Sequence, residues 1–189
     1  MKIGLFFGSF NPIHTGHLII ANTAINEIGL AEVWFIVSPQ NPLKARADLL
    51  DAGVRFQFVS LAIDGDNRFK ASDVEFNMPL PSYTIDTIKH LETIYPENEF
   101  YLILGSDSFL NLSNWKGHHS LLEKNLIVYQ RPGFLLGPES YLAKITVLHS
   151  PLLEISATDI RELIKKGRSI RYLVPQPVIS EIEKNKYYR

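Results

Sequence analysis

Two histidines three residues apart, His14 and His17, stand in the stretch Gly8-Ser9-Phe10-Asn11-Pro12-Ile13-His14-Thr15-Gly16-His17. An apolar run that reads as a strand, Ile3–Phe7, comes directly before it. At a helix start this spacing puts both rings on one side. Two imidazoles aimed at a phosphate can donate hydrogen bonds to oxygens that gain charge during a displacement. The setting favours a phosphate, because in an open α/β sheet ligands bind beyond the carboxyl ends of the strands. A helix N-terminus there offers free N–H groups and a positive dipole end. In this reading Gly8 lets the backbone approach the ligand, Ser9 adds a donor, and Gly16 leaves room for a nucleotide against the helix. A bare His-x-x-His is more often a surface pair, a core pair or half of a metal site; the strand and the Gly-Ser-Phe-Asn-Pro turn change its meaning. The chain has neither a G-x-G-x-x-G fingerprint nor a Walker A sequence, so a standard dinucleotide loop and a P-loop are not indicated.

A second group of donors lies far along the chain, in Ile155-Ser156-Ala157-Thr158-Asp159-Ile160-Arg161. The Ser156 and Thr158 hydroxyls, the N–H groups of a first helical turn and the Arg161 guanidinium can converge on a triphosphate. Taken alone, Ser156 followed by Asp159 three residues later reads as plain N-capping. Between the two groups, Pro-punctuated Ser38-Pro39-Gln40-Asn41-Pro42-Leu43-Lys44 forms a loop after the second strand. By itself Lys44 reads as a surface lysine.

Three further segments could receive a second substrate: Pro81-Ser82-Tyr83-Thr84-Ile85-Asp86-Thr87, Gly105-Ser106-Asp107-Ser108 and Leu112-Ser113-Asn114-Trp115-Lys116. Asp107, at a strand's carboxyl end, is placed to take ribose hydroxyls, and Trp115 offers a flat face to a heteroaromatic ring. Backbone N–H groups near Thr84 and Lys116 can bind a carboxylate without a charged side chain. Viewed singly, Trp115 reads as a packed aromatic, and Asp107 and Thr84 as helix caps.

The elements that must hold these residues follow from hydrophobic period. Short runs rich in Val, Ile and Phe (Ile3–Phe7, Val33–Val37, Phe100–Leu104, Leu126–Tyr129, Ile145–Leu148) mostly lack polar alternation and so read as strands buried on both faces. A weaker strand is expected at Phe69–Ser72. Helical spacing predicts a first crossover helix over His17–Ile28 that stops at Gly29, then helices over Val54–Ile63 and Tyr83–Ile94, the latter capped from Pro81-Ser82 and closed before Pro96. Ser156 is expected to cap a helix over Ala157–Lys166, and Pro175 to open a last one through about Lys186. The pattern predicts an α/β fold: a doubly wound, Rossmann-like parallel sheet with helices on both faces and a small C-terminal helical segment.

Composition sets the outer bounds. The chain has 189 residues, 19 Lys+Arg against 20 Asp+Glu, a formal net charge of -1 and 46% hydrophobic residues. At about 150 residues per domain, one domain over residues 1–189 is expected, with about 155–189 as its C-terminal helical part. Near-neutral charge gives no broad footprint for DNA or RNA, and no nucleic-acid partner is expected. No apolar run approaches the roughly 20 residues of a membrane span, and Gly4 and Gly8 break the apolar start of the chain too early for a signal peptide, so no membrane association is expected. The absence of Cys removes disulfides, thiolate zinc sites and a Cys nucleophile, and fits a cytoplasmic location.

The first stretch resembles the G-x-[ST]-F-[ND]-P-x-H-x-G-H signature of the H-x-G-H nucleotidyltransferase superfamily, with Phe7 where many members carry another Gly. The second resembles its I-S-[ST]-[ST]-x-[IL]-R element, with Ala157 replacing one hydroxyl residue. The acceptor segments are similar to the P-S-Y-T-x-D-T and G-x-D-x-x-x-x-L-x-x-W elements of the nicotinate-nucleotide adenylyltransferase family, and the likeness runs from Ile3 to Arg171. Class I aminoacyl-tRNA synthetases share the first motif but are too large for this chain. The resemblance implies AMP transfer from ATP to nicotinate mononucleotide, giving nicotinate adenine dinucleotide and pyrophosphate. It implies catalysis by His14, His17, Lys44 and Arg161, with Lys44 neutralising phosphate charge. ATP would meet Gly8, Ser9, Phe10, His14, Gly16, His17, Gly105, Asp107, Ile155, Ser156, Thr158 and Arg161. The acceptor would meet Ser9, Asn11, Lys44, Thr84, Asp107, Trp115 and Lys116. Mg²⁺ would come with ATP, and no carboxylate cluster marks a metal site in the protein itself. A homo-oligomer is left open. The competing readings are transfer to nicotinamide mononucleotide or phosphopantetheine, a non-catalytic nucleotide-binding sensor and, more remotely, a nucleic-acid-binding module.

Overall fold

The computed structural model describes residues 1–39, 49–137 and 145–189. Six parallel strands form one sheet in the order β3-β2-β1-β4-β5-β6. They are β1 (Lys2–Gly8), β2 (Glu32–Val37), β3 (Phe69–Ser72), β4 (Glu99–Gly105), β5 (Asn125–Tyr129) and β6 (Ile145–Leu148). The expected runs all become strands, including the weak one; helices cover both faces of the inner strands, whereas the edge strands β3 and β6 each keep an exposed position, Lys70 and Thr146. Along β2, Val33, Phe35 and Val37 enter one apolar cluster, and Trp34 and Ile36 enter the other. A strand with no wet face shows no polar alternation. Strand order reverses between β1 and β4, whose carboxyl ends therefore flank a topological switch point.

One face is covered by α1 (Thr15–Ile28), α2 (Ala52–Ile63), α6 (Ala157–Lys165) and α7 (Gln176–Asn185), with Ala21, Ala24, Phe58, Ile160 and Val178 buried against the sheet. The opposite face is covered by α3 (Thr84–Ile94), which buries Ile85, Ile88 and Leu91 at helical spacing, and by α5 (His118–Leu122) through Leu121. Two five-residue helices, α4 (Ser106–Leu110) and α5, and two 3₁₀ turns, Val74–Asn77 and Leu112–Asn114, lie where no helix was predicted. Segments this short carry too few periodic positions to stand out in a sequence.

Helix ends differ from expectation in three places. Helix α1 starts at Thr15, two residues earlier than expected, with His14 as its extended N-cap and His17 in its first turn. Tyr83, not Ser82, occupies the N-cap of α3, without a side-chain cap. The Ser82 hydroxyl is directed instead to Glu75. Pro175 is the N-cap of α7 rather than its first helical residue. Gly29 closes α1 in the left-handed conformation, at φ 69°, as predicted.

Candidate active site

The β1–α1 turn, the starts of α3, α4 and α6 and the loop around Trp115 enclose a cleft of about 820 Å³ over the switch point. That volume suits a nucleotide-sized ligand. The β1–α1 turn is held in a conformation most side chains avoid. Phe10 has φ 45°, in the left-handed region, a cost of about 1–2 kcal/mol for a bulky residue. Burial offsets it: Phe10 is 2% exposed and meets Phe6, Phe35 and His17 edge-on, at ring distances of 6.0, 5.6 and 5.1 Å. A side chain at Gly8 would run into the Phe10 ring at 2.8 Å. Gly8 is therefore required by the folded turn itself, and not only by a ligand.

His14 and His17 stack at 3.7 Å with their planes 26° apart. The His14 backbone N–H donates to Nδ1 of His17 at 3.2 Å. Nδ1 is thus an acceptor, and the neutral ring carries its proton on Nε2. Burial, with a further contribution from the Arg131 charge, pulls the His14 pKa down to about 4. At neutral pH His14 is an uncharged imidazole, 6% exposed, and its Nδ1 is buried without a hydrogen-bond partner. A side chain at Gly16 would meet Nδ1 of His14 at 3.1 Å, so the space beside this glycine belongs to the imidazole. Two first-turn N–H groups of α1 are already engaged, Thr15 with the Leu173 carbonyl at 2.8 Å and His17 with that of His14 at 3.0 Å.

Helix α6 supplies the second group. Ser156 accepts the Asp159 N–H at 3.1 Å and donates its hydroxyl proton to the Asp159 carboxylate at 2.6 Å, so its hydroxyl is committed to capping. Thr158 accepts from Arg161 at 3.4 Å, and Arg161 also donates to the Asn11 carbonyl at 3.0 Å, linking α6 to the β1–α1 turn. Nε of Arg161 remains buried without a partner. Ile155 lines the cleft beside Gly16. Ser9 also lines it, with its carbonyl turned back to Arg55. Asn11 is 6% exposed, and its Oδ1 accepts from the Leu50 N–H at 3.3 Å and the Tyr188 hydroxyl at 2.8 Å. That oxygen holds the turn in place. Lys44 lies outside the described residues.

Across the cleft, Thr84 opens α3. The Asp86 and Thr87 N–H groups bond the Tyr83 carbonyl, so those of Thr84 and Ile85 lie ahead of the helical ladder. Trp115 lines the cleft, and its indole N–H is buried without a partner. Asp107 follows Gly105 in the first turn of α4, with one carboxylate oxygen 3.5 Å from Arg131 and the other buried and unpartnered. The Lys116 ammonium points to Asp86 at 2.7 Å and lies 4.6 Å from the Tyr83 ring centre, both on the exposed rim. Among the described residues no group of three or more His, Asp or Glu is set to hold a metal ion.

Four residues here were not foreseen. Arg131 follows β5 and lines the cleft; its place at a strand's carboxyl end was the available signal. Arg55, fully buried, donates to the carbonyls of Ser9, Ser38, Pro39 and Leu50 at 2.6–3.1 Å. Burial lowers its pKa from the ordinary arginine value. Glu75, 1% exposed, accepts three hydroxyl protons. Tyr188 reaches back from the chain end, and burial raises its phenol pKa. No motif marks Arg55, Glu75 or Tyr188, because their partners are backbone carbonyls, hydroxyls and one amide scattered along the chain.

Three comparisons bear on this geometry. Residues 5–163 match the family model described as Cytidylyltransferase-like. A Cytophaga hutchinsonii protein named as a probable nicotinate-nucleotide adenylyltransferase is 49% identical over 192 residues, covering 100% of this chain and 98% of its own. A Bacteroides fragilis protein of the same name is 46% identical, covering 96% and 90%. Plasmodium falciparum nicotinic acid mononucleotide adenylyltransferase, solved in complex with NaAD, superposes with a TM-score of 0.85 over 99% of this chain and 97% of its own, at 22% identity, which speaks to the fold. With full-length relatives at this level of identity and a matching family model, the chain belongs to the nicotinate-nucleotide adenylyltransferase family of cytidylyltransferase-like nucleotidyltransferases.

Proposed function

We propose that the protein transfers the adenylyl group of ATP to nicotinate mononucleotide, forming nicotinate adenine dinucleotide and pyrophosphate. The observation that carries this reading is one cleft holding two kinds of recognition. Stacked imidazoles and Arg161 sit on one side, and an uncapped α3 N-terminus beside an unsatisfied tryptophan sits on the other. The first side suits phosphates, and the second an aromatic ring bearing an anion. The names of the full-length relatives agree with that substrate pair.

The chemistry is an in-line displacement. A phosphate oxygen of the mononucleotide attacks the α-phosphorus of ATP, a new P–O bond forms, and the bond to pyrophosphate breaks. No covalent enzyme intermediate is required, so the chain contributes position and charge stabilisation. His17, through Nε2–H, and neutral His14 donate to oxygens that gain negative charge. Arg161 and Arg131 offset the charge of the departing pyrophosphate, and Lys44 is assigned the same task. Gly8, Ser9, Phe10 and Gly16 shape the turn, Gly105 and Asp107 take the ribose side, and Ile155, Ser156 and Thr158 border the nucleotide. The acceptor lies against Trp115, with its carboxylate towards Thr84 and the main chain at Lys116, and its phosphate near Ser9 and Asn11. Mg²⁺ fits as a companion of ATP, where it would neutralise phosphate charge, since among the described residues of the cleft the one buried, unpartnered carboxylate oxygen, on Asp107, is no cage for it.

Residues 1–189 act as one nucleotidyltransferase unit in which 155–189 complete the phosphate side. No helix among the described residues is long and apolar enough to cross a membrane, and we assign the protein to the cytoplasm, where its substrates need neither nucleic acid nor a membrane. The test is direct. With ATP and Mg²⁺, nicotinate mononucleotide should release pyrophosphate and yield the dinucleotide. Pyrophosphate release with phosphopantetheine or nicotinamide mononucleotide alone, or ATP binding with no turnover on any acceptor, would overturn the reading.

A further inference from the structure

The two sides of the cleft are joined through one residue. Ser38, just beyond β2, gives its carbonyl to Arg55 at 2.8 Å and its hydroxyl proton to the Glu75 carboxylate at 2.8 Å. Arg55 holds the Ser9 carbonyl of the phosphate-binding turn at 2.6 Å. Glu75 also takes the hydroxyl protons of Ser82 at 2.7 Å and Thr87 at 2.8 Å, which bracket Tyr83 and Thr84 at the start of α3. Ser82, Thr87 and Glu75 are 8%, 0% and 1% exposed. The carboxylate has no basic partner in these contacts, so three hydroxyls stabilise it in place of a cation. Such a charge is tolerated only while its hydrogen bonds are made, and those bonds fix three segments relative to one another.

We propose that Glu75 is a positioning and specificity-determining residue for the acceptor. It sets the place of the Thr84 N–H, and through Ser38 and Arg55 it keeps that place in register with the phosphate-binding turn. An anionic ring substituent gains from a helix N-terminus only if the first-turn amides point at it, and a neutral carboxamide gains much less. Displacing the start of α3 therefore costs the acid mononucleotide more than its amide, and more than ATP. The inference rests on the acceptor reading above.

The test is calorimetric binding of nicotinate mononucleotide, its amide analogue and ATP to the full-length protein, which needs no turnover. Glu75→Ala should raise the Kd for the acid about tenfold, lower the acid-to-amide preference by a similar factor, and leave the Kd for ATP within about twofold. Glu75→Gln, whose amide keeps an acceptor oxygen for the hydroxyls, should recover most of the loss. Should Glu75→Ala fail to fold, Ser38→Ala, which removes one of the three donors, should show the same pattern at about threefold. Equal losses for acid, amide and ATP, or a fall in melting temperature with unchanged binding, would reduce Glu75 to a structural residue and overturn the proposal. A wild-type protein that binds the acid but does not convert it overturns the activity alone; one that does neither overturns both.

Discussion

The two sides of the cleft solve the same problem with opposite charges. The phosphate side is braced by a buried cation, Arg55, whose partners are four backbone carbonyls. The acceptor side is braced by a buried anion, Glu75, whose partners are three hydroxyls. Neither relies on a direct ion pair between them, and Ser38 touches both. At Ser9 and Leu50, the bonded carbonyls turn the N–H groups of Phe10 and Asp51 away from the arginine, because a trans peptide points its two polar groups in opposite directions. Hydroxyls bonded to a carboxylate do not reorient a backbone; they tie the chain positions that carry them. Arg55 thus ties the strained turn after β1 to the segments after β2 and before α2, and Glu75 ties the segment after β2 to a 3₁₀ turn and α3.

That contrast can be tested by separating the kinetic parameters. His17→Ala should lower kcat by about 10²–10³-fold while the protein still melts cooperatively, as expected for losing a donor to developing charge. Near-normal turnover would remove the histidine pair from the chemistry. Trp115→Ala should raise KM for the mononucleotide about three- to tenfold, the scale of one stacking contact, and leave KM for ATP unchanged. An equal change for ATP would mean that the two sides are not separate.

The smallest effect concerns stability. His14 holds its pKa near 4 in the fold, against 6.5 in the unfolded chain. Between those values the unfolded state binds the extra proton, so stability falls as pH drops from 6.5 towards 4 and this contribution stops changing below that. Urea unfolding at pH 6.5 and pH 5 should differ by about 1–2 kcal/mol more in the wild type than in His14→Asn. An unchanged difference in the variant would show that His14 is not the group responsible.

Legibility in the sequence followed contiguity. The strand, turn and helix carrying Phe10, His14, Gly16 and His17 could be read because hydrophobic period, turn residues and histidine spacing all lie within one window. Ser156 was legible as a cap for the same reason. Arg131 was reachable only through its position after a strand, and Arg55, Glu75 and Tyr188 not at all. Each of those looks like an ordinary surface residue until the chain folds, since burial is decided by segments far away. Of the two roles its spacing offers Ser156, the structure shows the cap, through its bonds with Asp159, a choice that spacing alone cannot decide.

By itself the sequence determined which segments become strands, where the Gly8–His17 turn sits at the end of the first, and which family motifs the chain carries. These depend on neighbours along the chain and on a period of two or 3.6 residues. The tertiary structure alone decided that His14 has its pKa pulled down to about 4, that Arg161 reaches the β1–α1 turn, and that a buried arginine and a buried glutamate brace the two halves of one cleft. Those depend on desolvation and on hydrogen bonds between residues such as Asn11 and Tyr188, 177 positions apart, which exist only once the sheet has brought its strand ends together.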